Sequence, residues 1–210
     1  LQLDGVAFKL VQIKTPVKTF NAQGELIRER TLFDIGRIDP DKMYKNVKKW
    51  EWKNINSGKI YIDEQTRRNA ISIRNSLMRL STAFAQEGDT LKAIEILDLS
   101  LEKLPIKDFG HYSLSLEYPE FYYKLGEQEK ARTAAKTLID LFRAKLVWFS
   151  TFSENDFDLI FNEFDVTFRY LYRGIIDQVA QYDSDEAFKE QLQEEFNNTL
   201  MLFQDILPEE

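Results

Sequence analysis

The chain has 210 residues, 43% of them hydrophobic and 30% charged, which excludes a disordered or collagen-like polymer and predicts one or two domains. The formal charge of −7 argues against a general nucleic-acid binder, which needs a basic face, and weakly against docking on anionic lipid. The absence of cysteine excludes disulfides and thiolate metal sites, and a single histidine, His111, leaves no His-rich metal cluster.

No window approaches the roughly 18 uninterrupted apolar residues of a spanning helix, so no direct membrane insertion by these residues is expected. No signal peptide opens the chain. Residue 1 is leucine, from which we expect a piece of a longer protein whose targeting or membrane segments lie outside it.

Residues 6–13 are β-branched and aromatic with partial alternation and predict a strand. Asn21 to Gly24 reads as a turn, after which Glu25 to Phe33 either returns as a second strand or runs irregularly. Asp39-Pro40-Asp41 opens a helix: the aspartate can cap free N–H groups, and proline at the first helical position sacrifices no hydrogen bond. Met43, Val47 and Trp50 then share one face. Trp50 and Trp52 read as buried anchors against the main body, with a ligand platform as the weaker alternative. Asn56-Ser57-Gly58 breaks the chain, Lys59 to Ile62 is a short extended piece, and Asp63 caps the next helix.

From there the pattern is helical and contains a repeat. Counting Arg74 as position 1, large apolar residues stand at Leu77, Leu80 and Phe84 and a small one at Ser81. Gly88, Ala93, Leu97, Ser100 and Pro105 complete the tetratricopeptide (TPR) pattern. Its physics is steric. Small residues such as Ser81 and Ala93 let two antiparallel helices approach where they cross, glycine ends the first helix in a left-handed conformation, and proline stops the second. Gly126 and Ala131 repeat Gly88 and Ala93 at a spacing of 38 residues, so extra residues fall in 106–117. Pro119 takes the small-residue position, which predicts a short or kinked first helix.

Phe157, Phe161, Phe164, Phe168, Leu171, Ile175 and Val179 then step by three or four as one apolar stripe, with Asp165, Arg169, Arg173 and Asp177 spaced for pairing opposite. Asp183 with Glu186 reads as a capping box for a last helix carrying Phe188, Leu192, Phe196, Leu200, Phe203 and Leu207. The phenylalanine stripe reads as core rather than as a ligand box. The expected fold is mainly α, a TPR-like helical-hairpin array (an α–α superhelix). Residues 1–62 form a strand-containing segment packed on a helical domain of 63–207, with units at about 64–105 and 112–150 and a capping hairpin at 155–207.

Candidate chemistry is thin. His111 near Asp108 and Tyr112 lacks a nucleophile motif. Glu154, Asp156 and Asp158 lack the glycine and closing glutamate of a calcium loop and read as a helix start. Asp63-Glu64 with Arg67-Arg68 reads as a capped, paired first turn rather than a partner site. Gly88 and Gly126 sit in turns and not in a phosphate-binding context. No catalytic residue, metal or cofactor is expected. What remains is a groove, lined by pattern position with Asn75, Met78, Thr82, Gln86, Glu120, Tyr123 and Lys124. This set suits an extended polypeptide and equally the chain's own N-terminal segment.

Leu1 to Val11, Gly36-Arg37-Ile38-Asp39, Met43-Tyr44, Asn54-Ile55 and Tyr61 to Arg68, succeeded by the TPR-like units, carry a family resemblance. This order resembles the C-terminal region of a family of bacterial multi-pass membrane proteins of unknown function, whose membrane part is similar to protein O-mannosyltransferases of the GT-C type. The resemblance covers nearly the whole chain and is strongest in residues 1–11 and 61–68. It implies a soluble TPR-like tail on the periplasmic side of an inner-membrane protein. The catalytic acids would lie in the membrane domain, the sugar donor would be lipid-linked, and no residue of this chain would inherit a catalytic role. The partner would be a polypeptide or the parent protein's own membrane domain, and not nucleic acid.

Overall fold

The computed structural model describes residues 2–9, 16–20, 26–31, 37–110 and 115–204. The turn expected at 21–24, the end of the strand expected at 6–13, and His111 lie outside these residues. The chain is mainly helical and divides into two compact units, Leu1–Asp108 and Phe109–Glu210. The expected boundary at 62/63 falls inside the first unit.

The first unit opens with strands β1 (Gln2–Asp4), β2 (Ala7–Lys9), β3 (Pro16–Phe20), β4 (Leu26–Thr31) and β5 (Arg37–Ile38). β1 is central in a three-stranded sheet, antiparallel to β2 with Leu3 opposite Phe8, and parallel to β5 with Leu3 opposite Ile38. β3 and β4 form a separate antiparallel pair with Val17 opposite Arg30. Within the strand expected at 6–13, residues 7–9 pair with 2–4 after the chain reverses at Gly5-Val6, and the second strand expected within 25–33 is β4, with residues 16–20 as its partner. Gly5 makes the reversal possible. It stands at φ +85°, and a β-carbon there would meet the Trp50 ring at 3.2 Å.

Helix α1 (Pro40–Val47) begins as expected, with the Asp39 carboxylate accepting from the Lys42 amide at 3.2 Å and Pro40 in the first turn. It buries Met43 and Val47 and ends before Trp50. Trp50 and Trp52 are only half-buried and meet edge to face at 5.5 Å, with Trp50 against the Gly5 turn, so they are not deep anchors. The reason is local. The helix stops at Val47, so Trp50 never joins its apolar face.

Helices α2 (Glu64–Gln86) and α3 (Thr90–Lys103) form the expected hairpin. Asp63 caps α2 through the Thr66 amide at 2.8 Å. Gly88 turns the chain at φ +83°. At the crossing, the Ser81 hydroxyl donates to the Ala93 carbonyl at 2.7 Å, and both residues are fully buried. Arg74, itself buried, donates to the Leu104 and Pro105 carbonyls at 2.8 and 3.0 Å and so satisfies the end of α3. α1 leans on the hairpin: Tyr44 meets Phe84 edge to face, and its hydroxyl and the Lys48 ammonium both donate to Glu95 at 2.7 Å.

After the one-turn helix α4 (Ile106–Phe109), the second unit contains α5 (Glu117–Lys124), α6 (Gln128–Phe149), α7 (Glu154–Asp165), a π-helical segment (Val166–Tyr172), α8 (Arg173–Tyr182) and α9 (Glu186–Met201). α5 is short, as Pro119 predicts: the proline lies in its first turn, the part of a helix that tolerates a missing N–H. Gly126 then turns at φ +81° into α6. Phenylalanine does form the core here. Phe164 stacks on Phe168 at 5.7 Å, Phe168 on Phe196 at 4.7 Å, and Phe203 closes on Phe164 at 4.6 Å.

Two expectations about this unit are corrected. The apolar stripe from Phe157 is not one continuous α-helix. The π-helical segment uses i→i+5 bonding and shifts the register, so Tyr172 is fully buried while Leu171 is only half-buried. Phe161, expected inside, is 40% exposed. The cap of α9 is Asp185, whose carboxylate accepts from the Phe188 amide at 3.2 Å; Asp183 is drawn inward instead.

Candidate interaction surface

The seven groove positions fall in both units, four on α2 and three on α5, and each set has its own geometry. Along α2, steps of three and four residues bring Asn75, Met78, Thr82 and Gln86 to one face. Asn75 and Gln86 are exposed. Met78 is buried, and half-buried Thr82 donates its hydroxyl back to the Met78 carbonyl at 2.9 Å. This face therefore presents two amide side chains at its ends and an apolar, internally bonded middle.

On α5 the three residues are tied into a polar network. Glu120 pairs with Lys124 one turn on and accepts from the Tyr182 hydroxyl at 3.2 Å. That lysine holds the Glu120 carboxyl below its ordinary range, and the glutamate in turn raises the Lys124 ammonium. The Tyr123 ring stacks against Tyr182, with centroids 6.1 Å apart. Its hydroxyl donates to Asp183 Oδ2 at 2.6 Å, and the residue is only 8% exposed.

Asp183 organises this network. Arg132 donates to its two carboxylate oxygens from Nε at 2.7 Å and Nη2 at 2.6 Å, and the Asp185 amide donates to Oδ1 at 2.8 Å. The Asp183 side chain has no exposed surface, whereas Arg132 keeps a fifth of its own. The guanidinium fork holds the Asp183 carboxyl far below the usual carboxylate range, against the opposing effect of burial. Burial, then the neighbouring Asp183, pushes the Tyr123 phenol above its ordinary value. The charges are matched and the hydrogen bonds direct, so the cluster fixes α5, α6 and the α8–α9 loop to one another.

Arg132 and Asp183 are invisible as a pair in the sequence. They lie 51 residues apart, and the only local signal of Arg132 is its i,i+3 partner Glu129. Arg74 carries a weak signal as the first position of the repeat, yet its role as a cap of α3 comes from a contact 30 residues away.

The remaining candidates resolve plainly. Glu64 and Arg68 pair at 3.1 Å, and Arg67 donates to the Ile62 carbonyl, so Asp63 to Arg68 is a capped first turn. Ser153 caps α7, and Asp156 and Asp158 are exposed in its first turns. Among the described residues no group of three or more His, Asp or Glu side chains is placed to hold a metal ion, and no helix is long and apolar enough to cross a membrane. No protein-family model, curated protein or solved structure matches the chain.

Proposed function

We propose that the chain is a non-catalytic, TPR-like interaction module that recruits or orients a polypeptide for a membrane-embedded, glycosyltransferase-like parent protein, on its periplasmic side. The observation that carries the TPR-like reading is the α2–α3 crossing. Ser81 and Ala93 meet within hydrogen-bond distance at 2.7 Å, where a larger side chain would force the helices apart. Gly88 at the turn and Pro105 beyond α3 agree with it. The parent protein comes from the family resemblance alone.

The α2 face supports recruitment. Asn75 and Gln86 stay exposed, while Tyr44 of α1 packs on Phe84 and bonds to Glu95. A second reading, a structural buttress for the membrane domain with the groove filled by the N-terminal segment, draws on that same packing of α1 against the hairpin. Deletion of both units, residues 1–210, from the parent protein distinguishes the two outcomes. Recruitment predicts an inserted, stable protein that no longer modifies its polypeptide acceptor, and Asn75→Lys with Gln86→Lys is expected to weaken acceptor capture about tenfold or more. Unchanged glycosylation on deletion, with no acceptor captured by the intact chain, overturns recruitment. Loss of the membrane protein itself favours the buttress.

A further inference from the structure

The net charge of −7 hides a division. The first unit holds 19 Lys and Arg against 15 Asp and Glu, and the second holds 9 against 20. The basic excess has a focus at the end of α1 and the turn after it. Lys45 and Lys49 are exposed and carry no ion pair among the described residues. Lys53 is 82% exposed and, among the described residues, its one ion-pair partner is the equally exposed Glu51 at 4.0 Å. Neighbouring Lys42 and Lys48 are already matched, by Asp4 at 3.0 Å and by Glu95 at 2.7 Å.

The same place is aromatic and apolar. Half-buried Trp50 and Trp52 stand between Lys49 and Lys53 along the chain, with Glu51 between them, and Trp50 lies against Gly5 in the β1–β2 turn. The next residue of that turn, Val6, is 56% exposed. Lys53 stands at φ +44°, a left-handed conformation that favours glycine or asparagine, yet the position keeps a charged, outward side chain.

We propose that this corner of the first unit, Val6, Trp50 and Trp52 with the exposed Lys45, Lys49 and Lys53 of the same stretch, docks peripherally on an anionic bilayer surface. Tryptophan favours the headgroup level, lysines next to it are drawn to anionic lipid, and an exposed aliphatic turn gains from shallow burial there. A soluble polyanion gives Val6 nothing to gain. A single-stranded nucleic acid would use parallel ring faces, whereas the two indoles meet edge to face at an interplanar angle of 63°. The chain-wide charge is no obstacle, because attraction is felt within about a Debye length of the surface, roughly 8 Å at physiological salt. This inference does not rest on the recruitment of a polypeptide.

The test uses the full chain with vesicles of phosphatidylcholine alone or mixed with phosphatidylglycerol, read by co-sedimentation and by tryptophan emission. Binding to the mixed vesicles only, with a blue shift and loss at high salt, is expected. The triple variant Lys45→Gln, Lys49→Gln, Lys53→Gln alters exposed side chains, so its circular dichroism is expected to be unchanged; it is expected to lose about a hundredfold in partitioning. Trp52→Ser is expected to weaken binding while leaving the salt dependence intact. Absent vesicle binding, equal binding to neutral vesicles, an unaffected triple variant, or binding to an oligonucleotide in place of vesicles each overturns the proposal.

Discussion

Asp183 takes four direct hydrogen bonds with no exposed side-chain surface, two from Arg132, one from Tyr123 and one from the Asp185 amide. Asp183→Asn keeps the shape and removes the charge, leaving a guanidinium and a buried phenol facing a neutral amide. Denaturant unfolding is expected to show a loss of about 3 kcal/mol. The pH dependence has a definite sign. The folded carboxyl titrates below its unfolded counterpart, so its contribution is complete above the unfolded value of about 4. It declines as the pH falls further and is lost only below the folded value. The gap between the native chain and Asp183→Asn should therefore be constant from neutrality to about pH 4 and close in stronger acid. At this scale the sequence misleads. Aspartate three residues before glutamate at a helix start reads as a cap, and only the fold brings Arg132 near enough to claim it.

Among the elements, the hairpin of α2 and α3 comes from local rules that act within a few residues: an aspartate cap, a small residue at the crossing, and glycine at the turn. The π-helical segment does not. Its residues read as ordinary helix, and the shift is visible only in which side chains are buried. That makes the register testable. Tyr172→Ala is expected to cost about 3–5 kcal/mol, as for a large aromatic removed from a core, and Leu171→Ala clearly less. A continuous α-helix along the expected stripe would reverse the order. The Tyr172 hydroxyl is buried without a hydrogen bond of good geometry among the described residues, and burial raises its pKa. Tyr172→Phe is accordingly expected to leave the melting temperature unchanged or raise it.

For the whole molecule, each unit has its own buried core, the first around Leu77, Phe84 and Leu97 and the second around Phe142, Phe164 and Tyr172. Fragments 1–108 and 109–210 are each expected to retain helical circular dichroism and a cooperative melt. A cut at 62/63 removes buried Met43 and Val47 from the hairpin they cover, and residues 63–108 alone are expected to melt lower and less cooperatively than 1–108. The composition read over all 210 residues conceals the opposite charge balances of the units, which is why the basic corner near Trp50 emerges only once the units are seen separately.

By itself the sequence determined the helical class, the caps at Asp39 and Asp63, the turns at Gly88 and Gly126, and the close approach of Ser81 to Ala93, because all of these are set by periodicity, backbone freedom and side-chain size over short spans. The tertiary structure decided the rest. It chose the partner of β1, moved Tyr172 inward in place of Leu171, left Trp50 and Trp52 half-exposed, and committed Tyr123 and Arg132 to Asp183. Each of those outcomes depends on which distant residue competes for a surface or a charge, and such competition has no period in the chain.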